Sequence, residues 1–298
     1  MASLSDILCP RIRRRRVAAL SPKQPREYRW EDIERATSQF SAVIGYGGFS
    51  TVYLGGDSAV KAYSGSQYLY SVFKRELAVL LNVKHPSIVR LLGYCDDKEQ
   101  GALVLDYFPR GTFADNRSTI PLGKRLALAF QLALALKYLH QKSIVHGDIK
   151  PSNILLDHNF NCKLCDFGSA TTGLSPPPRT SKQLSFTMTN SPGYTDPHYL
   201  KTGIASVKND VYSYGVVLLE FLTGKEAFAK DTNLPVTNGL RPVLAEGGSE
   251  DPELDPQLCC VLALARRCLD PSPHARPSAS QISATLFNLV PSACRHPQ

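Results

Sequence analysis

The sequence lacks the long apolar segment that a membrane-spanning helix requires. Its longest helix-like apolar run, residues 126–136, is well below the roughly 20 residues needed to cross a bilayer. Residues 1–10 have no basic region followed by an apolar one, which excludes a typical signal peptide. Ala2 rather than glycine follows Met1, which excludes N-myristoylation by its usual motif. With 43% hydrophobic and 20% charged residues, the composition is that of an ordinary globular chain.

The sequence also lacks a regular cysteine framework. Its eight cysteines are irregularly spaced over 298 residues, which excludes the small disulfide-bonded class and favours a reducing, cytosolic setting. Cys162 and Cys165 have the Cys-x-x-Cys spacing of many zinc sites, but no second pair follows them. Both are therefore predicted to be buried structural thiols.

Charge is concentrated in one short segment near the N-terminus. The net charge is +8, and five arginines lie between Arg11 and Arg16. A nuclear-import signal, a patch for anionic lipid and a solvated tail all remain open as interpretations. For Cys9, S-palmitoylation that acts with this basic run at a membrane and an unmodified thiol are both open. Nucleic-acid binding through the arginines is disfavoured, because it explains none of the ordered motifs in the rest of the chain.

The chain divides by composition and periodicity. Residues 1–27 are predicted to be a disordered basic leader, residues 28–290 to fold, and residues 291–298 to form a tail. Within the folded part, residues 40–107 alternate and turn like a small antiparallel sheet with one main helix, and residues 108–290 are mainly helical. The apolar periodicity predicts helices near residues 30–40, 71–81, 123–140, 210–223, 256–268 and 279–289, and strands over 88–95 and 102–106.

Polar residues lie in a fixed order between Ile144 and Gly168. Asp148 and Lys150 precede a Pro-Ser-Asn sequence, and an Asp-Phe-Gly sequence ends the stretch. The stretch resembles the catalytic loop and the metal-binding Asp-Phe-Gly motif of protein kinases. The five polar positions that carry the resemblance are His146, Asp148, Lys150, Asn153 and Asp166.

The resemblance implies a role for each of these residues. Asp148 is the implied catalytic base for a substrate hydroxyl, and Lys150 neutralises charge on the transferred phosphoryl group. Asn153 and Asp166 are the implied ligands of Mg²⁺, because their oxygens suit a hard cation. His146 is assigned a structural role. The implied phosphoryl donor is ATP and the implied cofactor is Mg²⁺.

A glycine-rich segment upstream resembles the kinase loop whose backbone amides approach the phosphates of ATP. Lys61 corresponds to the strand lysine that pairs the α- and β-phosphates, and Glu76 in the following helix is its expected ion-pair partner. Leu105 corresponds to the residue at the back of the adenine pocket. The implied nucleotide-binding residues are Ile44, Gly45, Tyr46, Gly47, Gly48, Phe49, Ser50, Thr51, Val52, Lys61 and, in the hinge between lobes, Asp106 and Phe108.

Two positions depart from the kinase pattern. Gly147 stands where an arginine usually precedes the catalytic aspartate, so phosphorylation of the Ser/Thr-rich segment 175–191 is not expected to be an obligatory activating step. His198 stands where a glutamate usually pairs with an arginine, so Arg276 is expected to need another acceptor. Both departures keep open the alternative of a weakly active or inactive pseudokinase scaffold.

The segment from Trp30 to Ser41 resembles the opening of the kinase domain in plant receptor-like kinases. The resemblance implies an α+β, two-lobed protein kinase fold and a serine/threonine kinase of the receptor-like cytoplasmic class. The implied partners are protein substrates and an upstream receptor kinase in the cytoplasm, with the inner face of the plasma membrane and the nucleus both open as locations. The implied self-acceptors are Thr180, Ser181, Ser185, Thr187 and Thr189.

Overall fold

The computed structural model describes residues 24–48, 50–97, 100–172, 191–226 and 256–289. Several predicted features lie outside these ranges. They are the leader up to residue 23 with Cys9 and the arginine run, Phe49, the five self-acceptors between Thr180 and Thr189, and the tail.

A six-stranded sheet forms the N-terminal lobe. Its strands are β1 (Arg26–Glu27), β2 (Val43–Tyr46), β3 (Thr51–Gly55), β4 (Ser58–Tyr63), β5 (Leu91–Asp97) and β6 (Gln100–Asp106). The spatial order is β1-β5-β6-β4-β3-β2. Neighbouring strands are antiparallel except β1 and β5, which run parallel. The predicted antiparallel sheet is therefore a mixed one. The predicted disordered leader was wrong at residues 26–27, which form strand β1, because two residues are too few to show a strand pattern.

Helix α1 (Trp30–Ala36) covers one face of this sheet. Its Ile33 is 1% exposed and belongs to an apolar cluster with Val60 and Val104 of the sheet. The helix ends before the predicted boundary at residue 40, because residues 38–40 have left-handed backbone with φ between 50° and 58°. The α1 cluster gives this side of the sheet its own core.

Strand β1 docks on the edge of β5 at a glycine. Arg26 lies opposite Gly93 in the parallel register, and the Tyr28 N–H donates to the Tyr94 carbonyl oxygen at 2.8 Å. A Cβ added to Gly93 would lie 2.4 Å from the Arg26 carbonyl oxygen. The close approach of the two backbones therefore requires glycine at this position.

Helix α2 (Gln67–Leu80) packs on the opposite face of the sheet. It begins before the predicted start at residue 71, because the Ser66 side chain caps it by accepting a hydrogen bond from the Leu69 N–H. Phe73 is fully buried beneath β6, where a Cβ on Gly101 would lie 2.4 Å from its ring. This contact sets how closely α2 approaches the sheet.

Helices form most of the C-terminal lobe. They are α3 (Phe113–Asn116), α4 (Leu122–Gln141), α5 (Pro197–Thr202), α6 (Val207–Thr223), α7 (Pro256–Cys268) and α8 (Ala279–Leu289). Helix α4 packs against α6 and α8 and is apolar around most of its circumference, as predicted for a buried helix. Helix α6 begins before the predicted residue 210 because Ser206 caps it. Within the described residues, no helix is both long enough and apolar enough to cross a membrane.

Short antiparallel strand pairs carry the polar motifs of this lobe. Strand β7 (Ile144–Val145) pairs with β10 (Thr171–Thr172), and β8 (Ile154–Leu156) pairs with β9 (Cys162–Leu164). Cys162 is fully buried, and burial raises the pKa of its thiol to about 12, which confirms the predicted buried thiol. Cys165, just after β9, is only partly buried.

Candidate active site

A cavity of about 350 Å³ lies between the sheet and the helical lobe. Asp148 borders a separate, much smaller cavity that also contacts Gly147 and Ser191. Thr51 is not among the described residues that line the larger cavity, because strand alternation turns it away from the side that Ser50 and Val52 face. The predicted site residues that line the cavity are Ile44, Gly45, Tyr46, Gly47, Gly48, Ser50, Val52, Lys61, Glu76, Leu105, Asp106, Phe108, Lys150, Asn153 and Asp166.

The glycine-rich turn exposes its backbone to the cavity. The Gly47 N–H donates to the Ser50 carbonyl oxygen at 2.8 Å and closes the turn between β2 and β3. A Cβ on Gly47 would lie 2.8 Å from the Ser50 hydroxyl oxygen, and none of the described heavy atoms lies within 4 Å of the Cβ position of Gly48. At Gly48 the turn therefore has room for an anionic group to approach the backbone closely.

Lys61 bonds to two carboxylates inside the cavity. Its Nζ lies 2.8 Å from Glu76 Oε2 and 2.8 Å from Asp166 Oδ1. Burial disfavours the charged amine, but the two carboxylates outweigh this effect and hold the pKa of Lys61 well above its ordinary value. Burial likewise disfavours the Asp166 carboxylate, but Lys61 outweighs it and lowers the pKa of Asp166 to about 2. Lys61 and Asp166 are thus both charged at neutral pH.

The β8–β9 hairpin brings Asn153 and Asp166 to the same place. Asn153 precedes β8 and Asp166 follows β9, and the Cys165 N–H donates to the Asn153 carbonyl oxygen at 3.0 Å. Asp166 has a φ of 65°, a left-handed conformation that costs energy for a residue with a Cβ. Phe167 is fully buried against the ring of His146, with a centroid separation of 4.8 Å, and this packing fixes the strained residue.

A buried carboxylate of α6 fixes the backbone just before Asp148. Asp210 accepts hydrogen bonds from the backbone N–H groups of His146 and Gly147, each at 2.9 Å, and contacts His140 Nε2 at 2.9 Å. Burial disfavours its charged form, but the bonds to His140 and to the loop outweigh burial and lower the pKa of Asp210. The loop that presents Asp148 is therefore anchored to the core of the lobe.

Three side chains converge on the carboxylate of Asp148. Its Oδ2 lies 2.7 Å from Lys150 Nζ and 3.0 Å from Asn153 Nδ2, and its Oδ1 accepts the hydroxyl of Ser191 at 2.7 Å. Lys150 Nζ also donates to the Ser191 hydroxyl oxygen at 3.0 Å. Sequence reasoning missed Ser191. The available signal was a hydroxyl residue directly before a Pro-Gly turn at the end of the Ser/Thr-rich segment.

The backbone at Gly147 has a conformation that suits glycine. Its φ is 80°, in the left-handed region. We expect Gly147→Ala to lower the free energy of unfolding by about 1–2 kcal/mol, because a Cβ in this region crowds the following carbonyl oxygen. Gly147→Arg, which introduces the residue usual in kinases, should lose a similar amount. Urea unfolding of each purified variant measures the effect.

Gly123→Ala in α4 is the matched control for this prediction. None of the described heavy atoms lies within 4 Å of its Cβ position, and alanine favours a helix over glycine, so the control should lose no stability. Because Gly123 lies in the first turn of α4, the gain should not exceed the roughly 0.5–1 kcal/mol typical of the middle of a helix. Equal stability of Gly147→Ala and the unmodified chain would show that the left-handed backbone is not costly here.

Asp196 is the acceptor that Arg276 was expected to need. The guanidinium and carboxylate form a two-point pair, with Nη1–Oδ2 at 2.5 Å and Nη2–Oδ1 at 3.0 Å, and both side chains are almost completely buried. Asp196 also accepts from Asn209 Nδ2 at 2.7 Å and from the His198 N–H at 2.9 Å, which caps α5. The start of α5 is therefore tied to the rest of the lobe by Asp196, two positions before His198.

The profile of the protein kinase domain matches residues 38–287. Together with the two-lobed fold and the residues that line the cavity, this match shows that the chain belongs to the protein kinase family.

Two plant proteins match this chain over most of both lengths. One is salt tolerance receptor-like cytoplasmic kinase 1 of Oryza sativa subsp. japonica, 44% identical over 303 residues, which are 91% of this chain and 81% of that protein. The other is a probable receptor-like protein kinase of Arabidopsis thaliana, 43% identical over 300 residues, 88% of each chain. A probable LRR receptor-like serine/threonine-protein kinase of Arabidopsis thaliana is 35% identical over 287 residues, 88% of this chain but 32% of that longer protein. The predicted likeness to plant receptor-like kinases is confirmed.

Proposed function

We propose that this chain is an ATP- and Mg²⁺-dependent serine/threonine protein kinase of the receptor-like cytoplasmic class. The observation that carries the proposal is the Asp148 carboxylate, which contacts Lys150 and Ser191. Its loop is hydrogen-bonded to Cys165, directly before the Asp166 that pairs with Lys61 in the cavity. A base, two lysines and two oxygen ligands are the groups that transfer of a phosphoryl group requires.

Asp148 receives the proton of the acceptor hydroxyl. The Ser191 hydroxyl already donates to Asp148 Oδ1, so this oxygen is oriented to accept from a hydroxyl. As the substrate oxygen bonds to the γ-phosphorus, its proton moves to Asp148 and the bond from the γ-phosphorus to ADP breaks. Lys150, 2.7 Å from Asp148, stabilises the charge that develops on the phosphoryl oxygens. Lys61 holds the nucleotide phosphates in line for this transfer.

Asn153 and Asp166 suit a magnesium ion by the chemistry of their oxygens. The Asn153 amide nitrogen donates to the Asp148 carbonyl oxygen at 2.8 Å and to its carboxylate, which directs the amide oxygen of Asn153 away from Asp148. Asp166 is ionised at neutral pH. Mg²⁺ bound by these two oxygens would neutralise charge on the phosphates of ATP.

Serine and threonine are the proposed acceptors. The Lys150-Pro151-Ser152 sequence after the base supports this choice, and so does the serine/threonine designation in the name of the third relative. We further propose a folded kinase domain over residues 28–290, to which strand β1 (Arg26–Glu27) adds two residues at the start, with lobes that meet at the hinge near residue 107. Protein substrates and an upstream receptor kinase in the cytoplasm are the proposed partners, as the names of the plant relatives suggest.

The test is transfer to peptide libraries that differ only in the acceptor residue. The purified chain is incubated with ATP and Mg²⁺, and products are mapped by mass spectrometry, with EDTA in place of Mg²⁺ as the matched control. We expect phosphate on serine and threonine peptides, none on tyrosine peptides, and none with EDTA. MgATP binding without any transfer would reject the proposal and favour the pseudokinase scaffold.

A further inference from the structure

Tyr63 shares a carboxylate oxygen with Lys61. It lies two residues after Lys61 on β4, so both side chains project from the same face of the strand. Its hydroxyl donates to Glu76 Oε2, the oxygen that also accepts from Lys61 Nζ at 2.8 Å. Tyr63 is 1% exposed and Glu76 is fully buried. The sequence motifs gave no reason to assign a role to this tyrosine.

Glu76 depends on these two donors. Among the described residues, its Oε1 is buried and has no hydrogen-bond partner, so Oε2 makes the polar contacts of the carboxylate. Lys61 is also bonded to Asp166 at 2.8 Å and, in the proposed function, to the phosphates of ATP. When Lys61 also contacts these further anions, it neutralises less of the negative charge on the Glu76 carboxylate. The Tyr63 hydroxyl is the donor that stays committed to Glu76.

We propose that Tyr63 is a positioning residue for nucleotide binding: its hydroxyl holds Glu76 against Lys61, so that Lys61 remains in place while it contacts the phosphates. This inference rests on the proposed function, because it concerns the same cleft. It acts through Glu76, since Tyr63 itself is not among the described residues that line the cavity.

The chemistry of the hydroxyl agrees with this role. Burial and the adjacent Glu76 carboxylate raise the pKa of Tyr63 well above its ordinary value, so the hydroxyl keeps its proton and can only donate to the carboxylate. The ring packs against Phe73, with a centroid separation of 5.8 Å, and phenylalanine would keep this contact. Tyr63→Phe therefore deletes the hydrogen bond and leaves the apolar packing in place.

The experiment is the affinity of Tyr63→Phe for MgATP by isothermal titration calorimetry. We expect the Kd to rise about fivefold to tenfold, because a hydrogen bond to a charged group is lost. If the chain transfers phosphate, KM for ATP should rise by the same factor while kcat changes less than about twofold.

Tyr214→Phe is the matched control. Tyr214 is also fully buried, and its hydroxyl donates to the Ala129 carbonyl oxygen at 3.0 Å inside the helical lobe, away from the cavity. This variant loses the same atom and should bind MgATP as the unmodified chain does. A purely structural role for Tyr63 would give both variants the same thermal destabilisation and unchanged Kd values, which would overturn the inference.

A double-variant cycle with Glu76→Gln separates action through Glu76 from a direct effect. In the Glu76→Gln background, Tyr63→Phe should weaken MgATP binding by less than about twofold. An equal loss of affinity in both backgrounds would also overturn the inference. The binding readout does not depend on catalysis: MgATP binding without transfer would reject the kinase activity alone, whereas transfer with unchanged Tyr63→Phe affinity would reject the role of Tyr63 alone.

Discussion

Asp148→Asn is expected to lower the rate of phosphoryl transfer by about 10²–10⁴-fold, the usual contribution of a positioned base. Asparagine keeps the size of the side chain and one oxygen acceptor, but it cannot take the proton of the substrate hydroxyl. Asp148 is not among the described residues that line the larger cavity, where the proposed function places MgATP, so the Kd for MgATP should stay within about twofold. Single-turnover rates with peptide substrate and MgATP titrations measure the two quantities separately.

Asp57→Asn provides the matched control for the loss of one carboxylate. Asp57 is exposed in the turn between β3 and β4, a position where asparagine is readily accepted. This variant should transfer phosphate at the rate of the unmodified chain. A rate for Asp148→Asn within tenfold of that of Asp57→Asn would mean that another group accepts the proton.

Asp196→Asn is expected to cause the largest loss of stability, about 3–5 kcal/mol, because it leaves the guanidinium of Arg276 buried without its counter-charge. Arg276 is 2% exposed and Asp196 is 1% exposed, so water cannot replace the lost carboxylate. The change also removes an acceptor of the Asn209 side chain. Urea unfolding at neutral pH should show the effect as a lower midpoint with an unchanged slope.

Two comparison variants make this prediction specific to a buried pair. Asp32→Asn removes a carboxylate whose pair with Arg35 is largely exposed, and it should cost less than about 1 kcal/mol. In the Asp196→Asn background, Arg276→Met removes the stranded charge and should restore part of the lost stability. If Asp196→Asn unfolds at the same urea concentration as Asp32→Asn, the Arg276–Asp196 pair does not stabilise the lobe.

The sequence predicted those parts of the fold that depend on local pattern. Helices α7 and α8 have their predicted bounds, because apolar periodicity continues over their whole length. Helices α2 and α6 begin earlier than predicted, because a capping serine before the first turn, Ser66 or Ser206, extends each helix beyond its apolar stripe. Strand β1 was missed because two residues carry too little pattern, and its pairing with β5 is a contact between distant parts of the chain.

The candidate site likewise contains residues that a local pattern identifies and residues that meet their partners only after folding. Lys61, Asp148 and Asp166 could be proposed from the sequence because their motifs have fixed spacing along the chain. Ser191 and Tyr63 were missed because each meets its partner only after folding, and serine and tyrosine are common residues in loops and strands. The acceptor for Arg276 was expected, yet Asp196 was not named, because its orientation depends on how α5 begins.

The docking of β1 also covers part of an exposed backbone edge of the sheet. An unpaired strand at the edge of a sheet presents free N–H and C=O groups to which strands of other molecules can add. Strand β1 pairs with this edge of β5 at Gly93 and Tyr94, and the glycine allows the contact. A fragment that starts after residue 29 would keep every described residue that lines the cavity, but it would expose the backbone N–H and C=O groups of β5 that β1 covers. Residues 24–29 thus cover part of an edge to which another strand could add, although they do not line the cavity.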